Sequence, residues 1–314
     1  MPDPDLGTLA QLACLLEVSA PKPGNVSPGR PFRDVTHAHF LASALAVGEA
    51  FRDAGAQPVG VTIRRAIAAT RRWCPCNTNL GIVLLLAPLA RAVATAPSGG
   101  VAETAQPLEA WASHGAPWWA RAVRRVLEAT TVDDARETYA AIRLAAPGGL
   151  GRADQEDVAD EPGRSLLEVM RLAADRDAVA REYATAYEVT RTRVVPALLA
   201  ARAVSLTWDD AIVETSLELL AAAPDTHVAR RAGQAEAETV RRDAQAVVAA
   251  GGVRTEAGRR HLAAFDASLR DPLNRRNPGA TADLVTAGLF VVLAHGAWQE
   301  TGYGSADASR GARP

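Results

Sequence analysis

Apolar residues recur at spacings of three and four along most of this chain, which is the period of an amphipathic α-helix. After Thr36, a residue suited to cap a helix, the pattern runs through Phe40, Leu45 and Phe51. No window of strict apolar and polar alternation is long enough to predict a strand. The predicted fold class is therefore all-α, with a single globular domain of about ten helices.

The predicted helices follow one another with short connections. A short N-terminal helix ends near Glu17, and the others cover residues 36–51, 60–73, 79–95, 117–129, 132–145, 165–194, 208–222, 227–250, 256–269 and 280–298. Thr207, and Ser165 with Glu168 three residues later, supply capping chemistry for two of these starts. We expect one helical domain over residues 1–300 and a disordered tail over residues 301–314, which is rich in Gly, Ser and Arg.

Composition and charge indicate which kinds of binding partner the chain is suited to. The chain has 314 residues, of which 48% are hydrophobic and 22% charged, so it can bury a large core. A formal net charge of −2 gives no electrostatic footprint for nucleic acid or an anionic membrane, and Asp283 and His295 interrupt the longest apolar stretch. Three cysteines, two of them separated by one residue, favour neither a disulfide framework nor a zinc site. We therefore expect a cytoplasmic protein with no nucleic-acid or membrane partner.

Polar residues collect at the breaks between the apolar helices, where a helical protein can hold a site on rigid elements. At residues 21–25 the sequence Pro-Lys-Pro-Gly-Asn holds Lys22 on a stiff turn, and a fixed ammonium group suits a phosphate. A surface turn with an incidental lysine is the alternative. Asp34 follows, either as a charge that stabilises the start of the next helix or as a metal ligand or base.

Two further loops carry groups that suit a nucleotide. Asn77 and Asn79 stand at the start of an apolar helix, so they either cap it or contact ribose or phosphate. Arg143 precedes a glycine-rich stretch that contains Gly149, and an acidic cluster with Asp157 follows. Carboxylates beside an arginine and a glycine loop fit Mg²⁺ held together with phosphate oxygens.

The last two loops follow residue 220. Asp225 begins a helix, which it could simply cap, and Arg230 and Arg231 follow one turn later. The Asn-Pro-Gly sequence at residues 277–279 likewise has the chemistry of a helix start, with the asparagine as cap. Asp283 lies in the most apolar helix of the chain, where an unpaired carboxylate is costly, so we expect a cation or a hydrogen-bond donor beside it.

Five motifs in this order resemble those of the triphosphoribosyl-dephospho-CoA synthase family, over about residues 10–297. They are Glu17-x-Ser-x-x-Lys22-Pro-Gly-Asn25, the following Asp34, Asn77-Thr78 before an apolar helix, Asp225-Thr226, and Pro278-Gly-x-Thr281-Ala-Asp283-Leu. Each motif is a weak signal, but five together in the expected order are fairly specific. The resemblance implies an all-helical enzyme that uses ATP and Mg²⁺. In that family a hydroxyl of dephospho-CoA attacks C1′ of ATP, adenine leaves, and the triphosphoribosyl group is transferred.

The sequence differs from that family pattern after Thr78. It continues Asn79-Leu80-Gly81, where synthases that act on dephospho-CoA typically continue His-Lys-Gly. The Ala-Pro-Gly-Gly-Leu-Gly loop at residues 146–151 resembles a branch found in archaea and methylotrophic bacteria, where such genes are associated with methanopterin-dependent one-carbon metabolism. The resemblance therefore implies dephospho-CoA or a related cofactor precursor as the small-molecule acceptor.

Residue types and the resemblance together give the predicted roles. The residues predicted to contact ATP are Lys22, Asn25, Asn77, Asn79, Arg143, Gly149, Arg230, Arg231 and Thr281. Those predicted to take part in catalysis are Asp34, Asp225 and Glu17, and those predicted to bind Mg²⁺ are Asp34, Asp157, Asp225 and Asp283. The oligomeric state stays open, with a homodimer as one option.

Two other function classes fit the same residues. A Mg²⁺-dependent nucleotide or ADP-ribose hydrolase would use the same aspartates with water as the acceptor, and would release a free sugar phosphate. A non-catalytic nucleotide-binding protein would bind ATP without turnover. Product analysis separates the three functions.

Overall fold

A computed structural model describes residues 5–95, 117–204 and 206–295 of the chain. These residues form α-helices, one π-helix and one 3₁₀ turn, and they contain no sheet. The all-α prediction is therefore confirmed, although the described residues form more helices than the ten expected. The predicted tail at residues 301–314 lies outside the described residues.

The helix bounds define the labels used below. They are α1 Leu6–Ser19, α2 His37–Ala46, α3 Gly48–Arg52, α4 Val59–Arg71, α5 Leu80–Ala94, α6 Pro117–Glu128, α7 Val132–Ala145, α8 Leu166–Ala173, α9 Ala178–Thr185, α10 Val195–Ala203, α11 Trp208–Ala222, α12 Thr226–Ala232, α13 Gln234–Ala249, α14 Glu256–Leu269 and α15 Gly279–Ala294. A π-helix, Thr190–Val194, precedes α10, and a 3₁₀ turn, Gly252–Arg254, precedes α14.

Several predicted helices are observed almost unchanged. Those expected over residues 117–129, 132–145, 208–222 and 256–269 agree with α6, α7, α11 and α14 within one residue. The two predicted caps are also present: the Thr207 side chain accepts from the N–H of Asp210, and Ser165 forms a capping box with Glu168.

Other predicted helices are divided by a local backbone feature. The helix expected over residues 227–250 is split into α12 and α13 at Gly233, whose φ of 97° lies in the region that favours glycine. The pattern expected over residues 36–51 is divided into α2 and α3 around Val47. Helix α10 was not predicted, and Pro196 in its first turn needs no intrahelical partner there.

The predicted helix over residues 165–194 contains the largest break. It consists of α8, α9 and the π-helix, and the chain turns after α9 through Ala186 and Tyr187, whose φ angles are 51° and 60°. The buried carboxylate of Glu182 accepts from the N–H groups of Val189 at 3.0 Å and Thr190 at 2.9 Å. These are N–H groups that a continuous helix would bond to carbonyl oxygens, so the carboxylate stabilises the break.

Helices α5 and α15 occupy the centre of the fold because their sequences are apolar on every face. Most of their side chains are buried, including Leu85 and Leu89 in α5 and Val285 and Phe290 in α15. The two helices pack against each other, and α1 packs against both. The buried apolar residues form one continuous cluster from α1 to α15.

Pro88 inside α5 removes a helical hydrogen bond, and tyrosine hydroxyls of the α9 region donate to the carbonyl oxygens of that turn. Pro88 has no N–H, so the carbonyl oxygen of Leu84, four residues earlier, loses its helical donor. The hydroxyl of Tyr183 donates to that oxygen at 2.6 Å, and the hydroxyl of Tyr187 donates to the carbonyl oxygen of Leu85 at 2.6 Å. Both tyrosines are fully buried, and their hydroxyls fix the α9 region against α5.

Within the described ranges, none of the helices combines the length and the apolar character that a membrane-spanning segment needs.

We predict that Tyr183→Phe destabilises the protein more than Tyr187→Phe does. Removing the Tyr183 hydroxyl leaves the Leu84 carbonyl buried without a donor, which costs about 1–3 kcal/mol of unfolding free energy. The Leu85 carbonyl keeps the helical N–H of Leu89, so Tyr187→Phe should cost less. Urea denaturation of both variants measures the difference, and equal costs would contradict the explanation.

Candidate active site

The five polar loops singled out in the sequence meet at one cleft of about 1050 Å³. Every one of them contributes to its wall. The predicted site residues on the wall are Glu17, Asn25, Asp34, Asn77, Asn79, Asp157, Arg230, Arg231 and Asp283. The cleft lies where α5, α12 and α15 begin, so the fold brings helix N-termini, which favour anions, to the same place.

Lys22 does not lie on the wall of the cleft. Its ammonium Nζ lies 2.8 Å from Oε1 of Glu17 and also donates to the carbonyl oxygens of Glu17 and Ala20. Both side chains of the ion pair are buried. The structure thus gives Lys22 a structural partner instead of the predicted phosphate, because its three donor positions are already used within the turn.

Asp225 also has a structural role in place of the predicted catalytic and metal-binding ones. Its Oδ1 accepts from the N–H groups of His227 at 2.8 Å and Val228 at 3.0 Å, which caps α12. Its Oδ2 accepts from the N–H and the hydroxyl of Thr281, at 2.8 and 2.7 Å. Four donors therefore occupy this buried carboxylate, and Asp225 with Thr281 joins the starts of α12 and α15.

The loop between α7 and α8 is held by its own hydrogen bonds. Asp157 accepts from the N–H groups of Ala153 at 2.5 Å and Ala159 at 2.8 Å, and these bonds lower the pKa of its carboxyl. Arg143, predicted to contact the nucleotide, donates to the carbonyl oxygen of Val158 at 2.6 Å. Gly149, with φ at 76°, lies against Arg230 without lining the cleft. The three residues shape the loop, and Asp157 is occupied by backbone donors in place of a metal.

Asp283 is a carboxylate of the cleft without a partner: it forms no hydrogen bond or ion pair with any described residue. Gly81 leaves the space for it, since a Cβ added there would lie 2.0 Å from Oδ2 of Asp283. Burial, and then the negative charges of Glu17, Asp225 and Asp177, raise the pKa of Asp283 well above its usual range, while Arg230 opposes the shift. This environment favours a proton or a cation at Asp283.

The asparagines of the cleft divide into structural and available groups. Asn77 accepts from the N–H of Leu80 at 3.0 Å and so helps to cap α5, as one of the two sequence interpretations expected. Asn79 donates from Nδ2 to the Thr70 hydroxyl at 3.1 Å, and its buried Oδ1 has no hydrogen-bond partner among the described residues. Asn25 donates to the side chain of Asn277 at 2.7 Å.

Asp34 is exposed on the wall, and no described residue donates to it.

Two arginines on the wall were not identified from the sequence. Arg152 follows the glycine-rich loop and Arg176 precedes α9, and neither makes a side-chain hydrogen bond or an ion pair within the described part of the chain. By contrast, Arg230 lies 3.5 Å from Asp177, and Arg231 donates to the carbonyl oxygen of Leu273 at 2.8 Å. The position of Arg152 directly after the glycine-rich loop was the sequence signal available for it.

His227 is a further wall residue to which the sequence assigned no role. Its Nδ1 lies 3.0 Å from the carbonyl oxygen of Asn277, and its ring lies over Gly279. Burial is the main cause that lowers the pKa of His227 below its usual value, and Arg230 and Arg231 act in the same direction while Asp225 opposes them. The imidazole is therefore neutral near pH 7.

The four aspartates predicted as metal ligands do not converge. Within residues 5–95, 117–204 and 206–295, no three side chains of His, Cys, Asp or Glu are grouped so that they could hold a metal ion. A cation at this cleft would depend on few protein ligands, with Asp283 the carboxylate whose surroundings favour one.

Comparisons with known proteins identify the family of the chain. A family model described as ATP:dephospho-CoA triphosphoribosyl transferase matches residues 3–302. Two curated relatives carry the name "Probable 2-(5''-triphosphoribosyl)-3'-dephosphocoenzyme-A synthase". The protein of Stutzerimonas stutzeri (strain A1501) is 35% identical over 97 residues, or 31% of this chain, and that of Pseudomonas putida is 39% identical over 97 residues, also 31% of this chain. The matched segment spans about a third of the length of these relatives, 33% and 34% respectively.

A solved structure shows a similar fold over most of the chain. It is the crystal structure of a "putative triphosphoribosyl-dephospho-coA synthase" from Archaeoglobus fulgidus. The similarity covers 82% of this chain and 99% of that one, with a TM-score of 0.58 and 26% sequence identity.

We predict that Asp283→Asn removes a loss of stability that the wild type shows as the pH rises. Because the pKa of Asp283 is raised in the folded protein, the wild type loses stability as the pH rises from about 4 towards the folded pKa. The asparagine does not titrate, so the variant should be more stable than the wild type at pH 8 and should lose this advantage towards pH 4. Urea denaturation without nucleotide or divalent cations measures the difference.

The matched control is Asp157→Asn, for which the expected change in stability at pH 8 has the opposite sign. The pKa of Asp157 is lowered, so this carboxylate contributes stability above its unfolded pKa and loses the contribution as the pH falls. Asp157→Asn should therefore be less stable than the wild type at pH 8. An Asp283→Asn variant with no advantage at pH 8 would contradict the environment described for Asp283.

We also predict that Lys22→Ala costs about 3–5 kcal/mol of unfolding free energy, because it leaves the Glu17 carboxylate buried without its cation. The double variant Glu17→Gln with Lys22→Met removes both charges and should recover much of the loss. Arg64→Ala, which breaks an exposed ion pair with Glu137, is the control and should cost about 1 kcal/mol or less. Equal costs for Lys22→Ala and Arg64→Ala in urea denaturation would refute the structural role of Lys22.

Proposed function

We propose, since the chain belongs to the ATP:dephospho-CoA triphosphoribosyl transferase family, that it transfers the triphosphoribosyl group of ATP to a hydroxyl of dephospho-CoA or a related cofactor precursor. The observation that carries this proposal is the convergence of five loops on one cleft, where arginines and a carboxylate without partners occur together. The cleft volume of about 1050 Å³ is at the upper end of the range for a single ligand and leaves room for two substrates.

The arginines of the wall supply the binding site for the triphosphate. Arg152 and Arg176 have all their donors available, and Arg230 is only loosely paired with Asp177. A guanidinium group can hold two phosphate oxygens at once, which both neutralises and orients the chain. Triphosphate binding would therefore exchange the weak Arg230–Asp177 contact for a stronger one.

The residues present fit a Mg²⁺ ion that accompanies ATP. Asp283 offers a carboxylate without a partner, and the neighbouring negative charges favour a cation there. Phosphate oxygens and waters would complete the coordination of an ion held by Asp283. The ion would neutralise charge on the phosphates when bound.

The transfer breaks the bond between C1′ of ribose and N9 of adenine and forms a bond from C1′ to the acceptor oxygen. Positive charge develops at C1′ between these events, as in glycoside hydrolysis. The carboxylate of Asp34 lies on the cleft wall and would stabilise that charge. Asn77 and Asn79 lie on the same wall as candidate contacts to ribose or adenine. The adenine leaves with the electron pair of the broken bond and gains the proton lost by the hydroxyl.

Product analysis tests the transfer directly. The protein is mixed with ATP, Mg²⁺ and either dephospho-CoA or a pterin precursor of the methanopterin class, and free adenine is measured by chromatography. We expect adenine only when an acceptor is present, and the acceptor that supports it decides whether the methanopterin-linked prediction holds. Adenine without any acceptor would identify a hydrolase, and formation of only ADP, AMP or pyrophosphate, or no turnover, would contradict the transfer.

The same assay tests the predicted role of Arg176. Loss of one charge-assisted contact to phosphate costs about 1.5–3 kcal/mol, so Arg176→Gln should raise the KM for ATP by about tenfold or more. Arg171→Gln is the matched control, because Arg171 lies exposed on α8 and does not line the cleft. Equal KM values for the two variants would show that Arg176 does not contact the nucleotide.

A further inference from the structure

The ring of His227 is held in one position on the wall of the cleft. His227 lies in the first turn of α12, and its own N–H is bound to Asp225. The ring packs over Gly279, where a Cβ would lie only 2.6 Å from Nδ1, so only glycine leaves space for the imidazole. Its position is thus fixed by α12 on one side and by the start of α15 on the other.

The hydrogen bond to Asn277 determines which ring nitrogen carries the proton. Nδ1 of His227 lies 3.0 Å from the carbonyl oxygen of Asn277, and a carbonyl oxygen can only accept. Nδ1 is therefore the protonated nitrogen, and in the neutral ring Nε2 keeps its lone pair. Nε2 has no hydrogen-bond partner among the described residues, although the residue lines the cleft.

The Pro-Lys-Pro-Gly-Asn turn holds the carbonyl of Asn277 in place. Asn25 donates from Nδ2 to Oδ1 of Asn277 at 2.7 Å. The turn itself is fixed, because the N–H of Gly24 donates to Asp266 at 2.8 Å and Arg270 donates to the carbonyl oxygen of Asn25 at 3.0 Å. A connected set of hydrogen bonds therefore runs from α14 through the turn and Asn277 to the imidazole.

We propose that His227 is the general base of the transfer, taking the proton of the acceptor hydroxyl on Nε2, with Asn277 as the residue that positions the ring. This role rests on the proposed function. The hydroxyl oxygen forms its bond to C1′ as its proton moves to Nε2, and adenine departs with the electrons of the C1′–N9 bond. The imidazolium then gives that proton to the departing adenine, directly or through water, so that His227 returns to its neutral form with no net proton change.

The three carboxylates predicted for catalysis are less suited than His227 to take the proton of the acceptor hydroxyl. Glu17 is held in a buried ion pair with Lys22, and Asp225 is occupied by four donors, so both carboxylates already serve to hold the structure. Asp34 is exposed and carries no contact that orients it. His227 combines a fixed orientation with a free acceptor atom on the cleft wall, which a general base requires.

The variant His227→Asn tests the role, because the asparagine amide can still donate to the Asn277 carbonyl but has no counterpart of Nε2. We expect the rate of acceptor-dependent adenine release to fall by about 100-fold or more, while the affinity for ATP, measured by calorimetry, stays within about twofold. His261→Asn, at an exposed position on α14, is the control and should match the wild type. An active wild type with a His227→Asn variant that keeps more than a third of its rate would overturn the proposal.

A second measurement does not depend on the variant being active. Long-range proton–nitrogen NMR spectra of protein labelled with ¹⁵N at histidine report the tautomer of each ring, and comparison with the two variants assigns His227. We expect the Nδ1-protonated form, and the Nε2-protonated form would overturn the proposal. A wild type that releases no adenine with any acceptor would instead contradict the proposed function and, with it, this role, so the two failures are distinguishable.

Discussion

Helices α5 and α15 are apolar on every face and can exist in water only when other helices enclose them. This constraint leaves no exposed side along which polar chemistry could be placed. Polar and charged side chains that could bind a ligand are therefore placed near the ends of these two helices, and the cleft forms where α5, α12 and α15 begin. Because α5 is enclosed, water cannot replace the hydrogen bond that is lost at Pro88, and the tyrosine hydroxyls of the α9 region supply donors instead.

The cleft contains charges of two kinds, and their hydrogen bonds tell them apart. Asp225, Asp157 and the Lys22–Glu17 pair are satisfied by nearby donors or by each other, so they hold the loops in place. Asp283, Arg152 and Arg176 form no such bonds within the described residues, and these are the groups that a ligand can engage without first breaking the structure. Residue type alone does not separate the two kinds, because both contain carboxylates and cations.

The sequence predicted the all-α class, the ends of several helices and the loops that meet at the cleft. Those predictions succeeded because helical periodicity and capping are local properties of the chain. The partners of Lys22 and Asp225 could not be predicted in the same way. Whether a carboxylate is free depends on donors such as Thr281, which is distant in sequence, and the break after α9 depends on the buried position of Glu182. His227 was given no role from the sequence because a histidine beside a helix cap has no distinctive spacing.

The hydrogen bond between Asn25 and Asn277 joins residues that are 252 positions apart. During synthesis, the N-terminal turn leaves the ribosome long before its partner has been translated, so the cleft lacks one side until the α15 segment is made. The α15 segment completes the enclosure of α5 and at the same moment delivers Asp283 and the Asn277 carbonyl. Binding competence therefore arises late and all at once, and a partly made chain presents the basic loops without the carboxylate that completes the site.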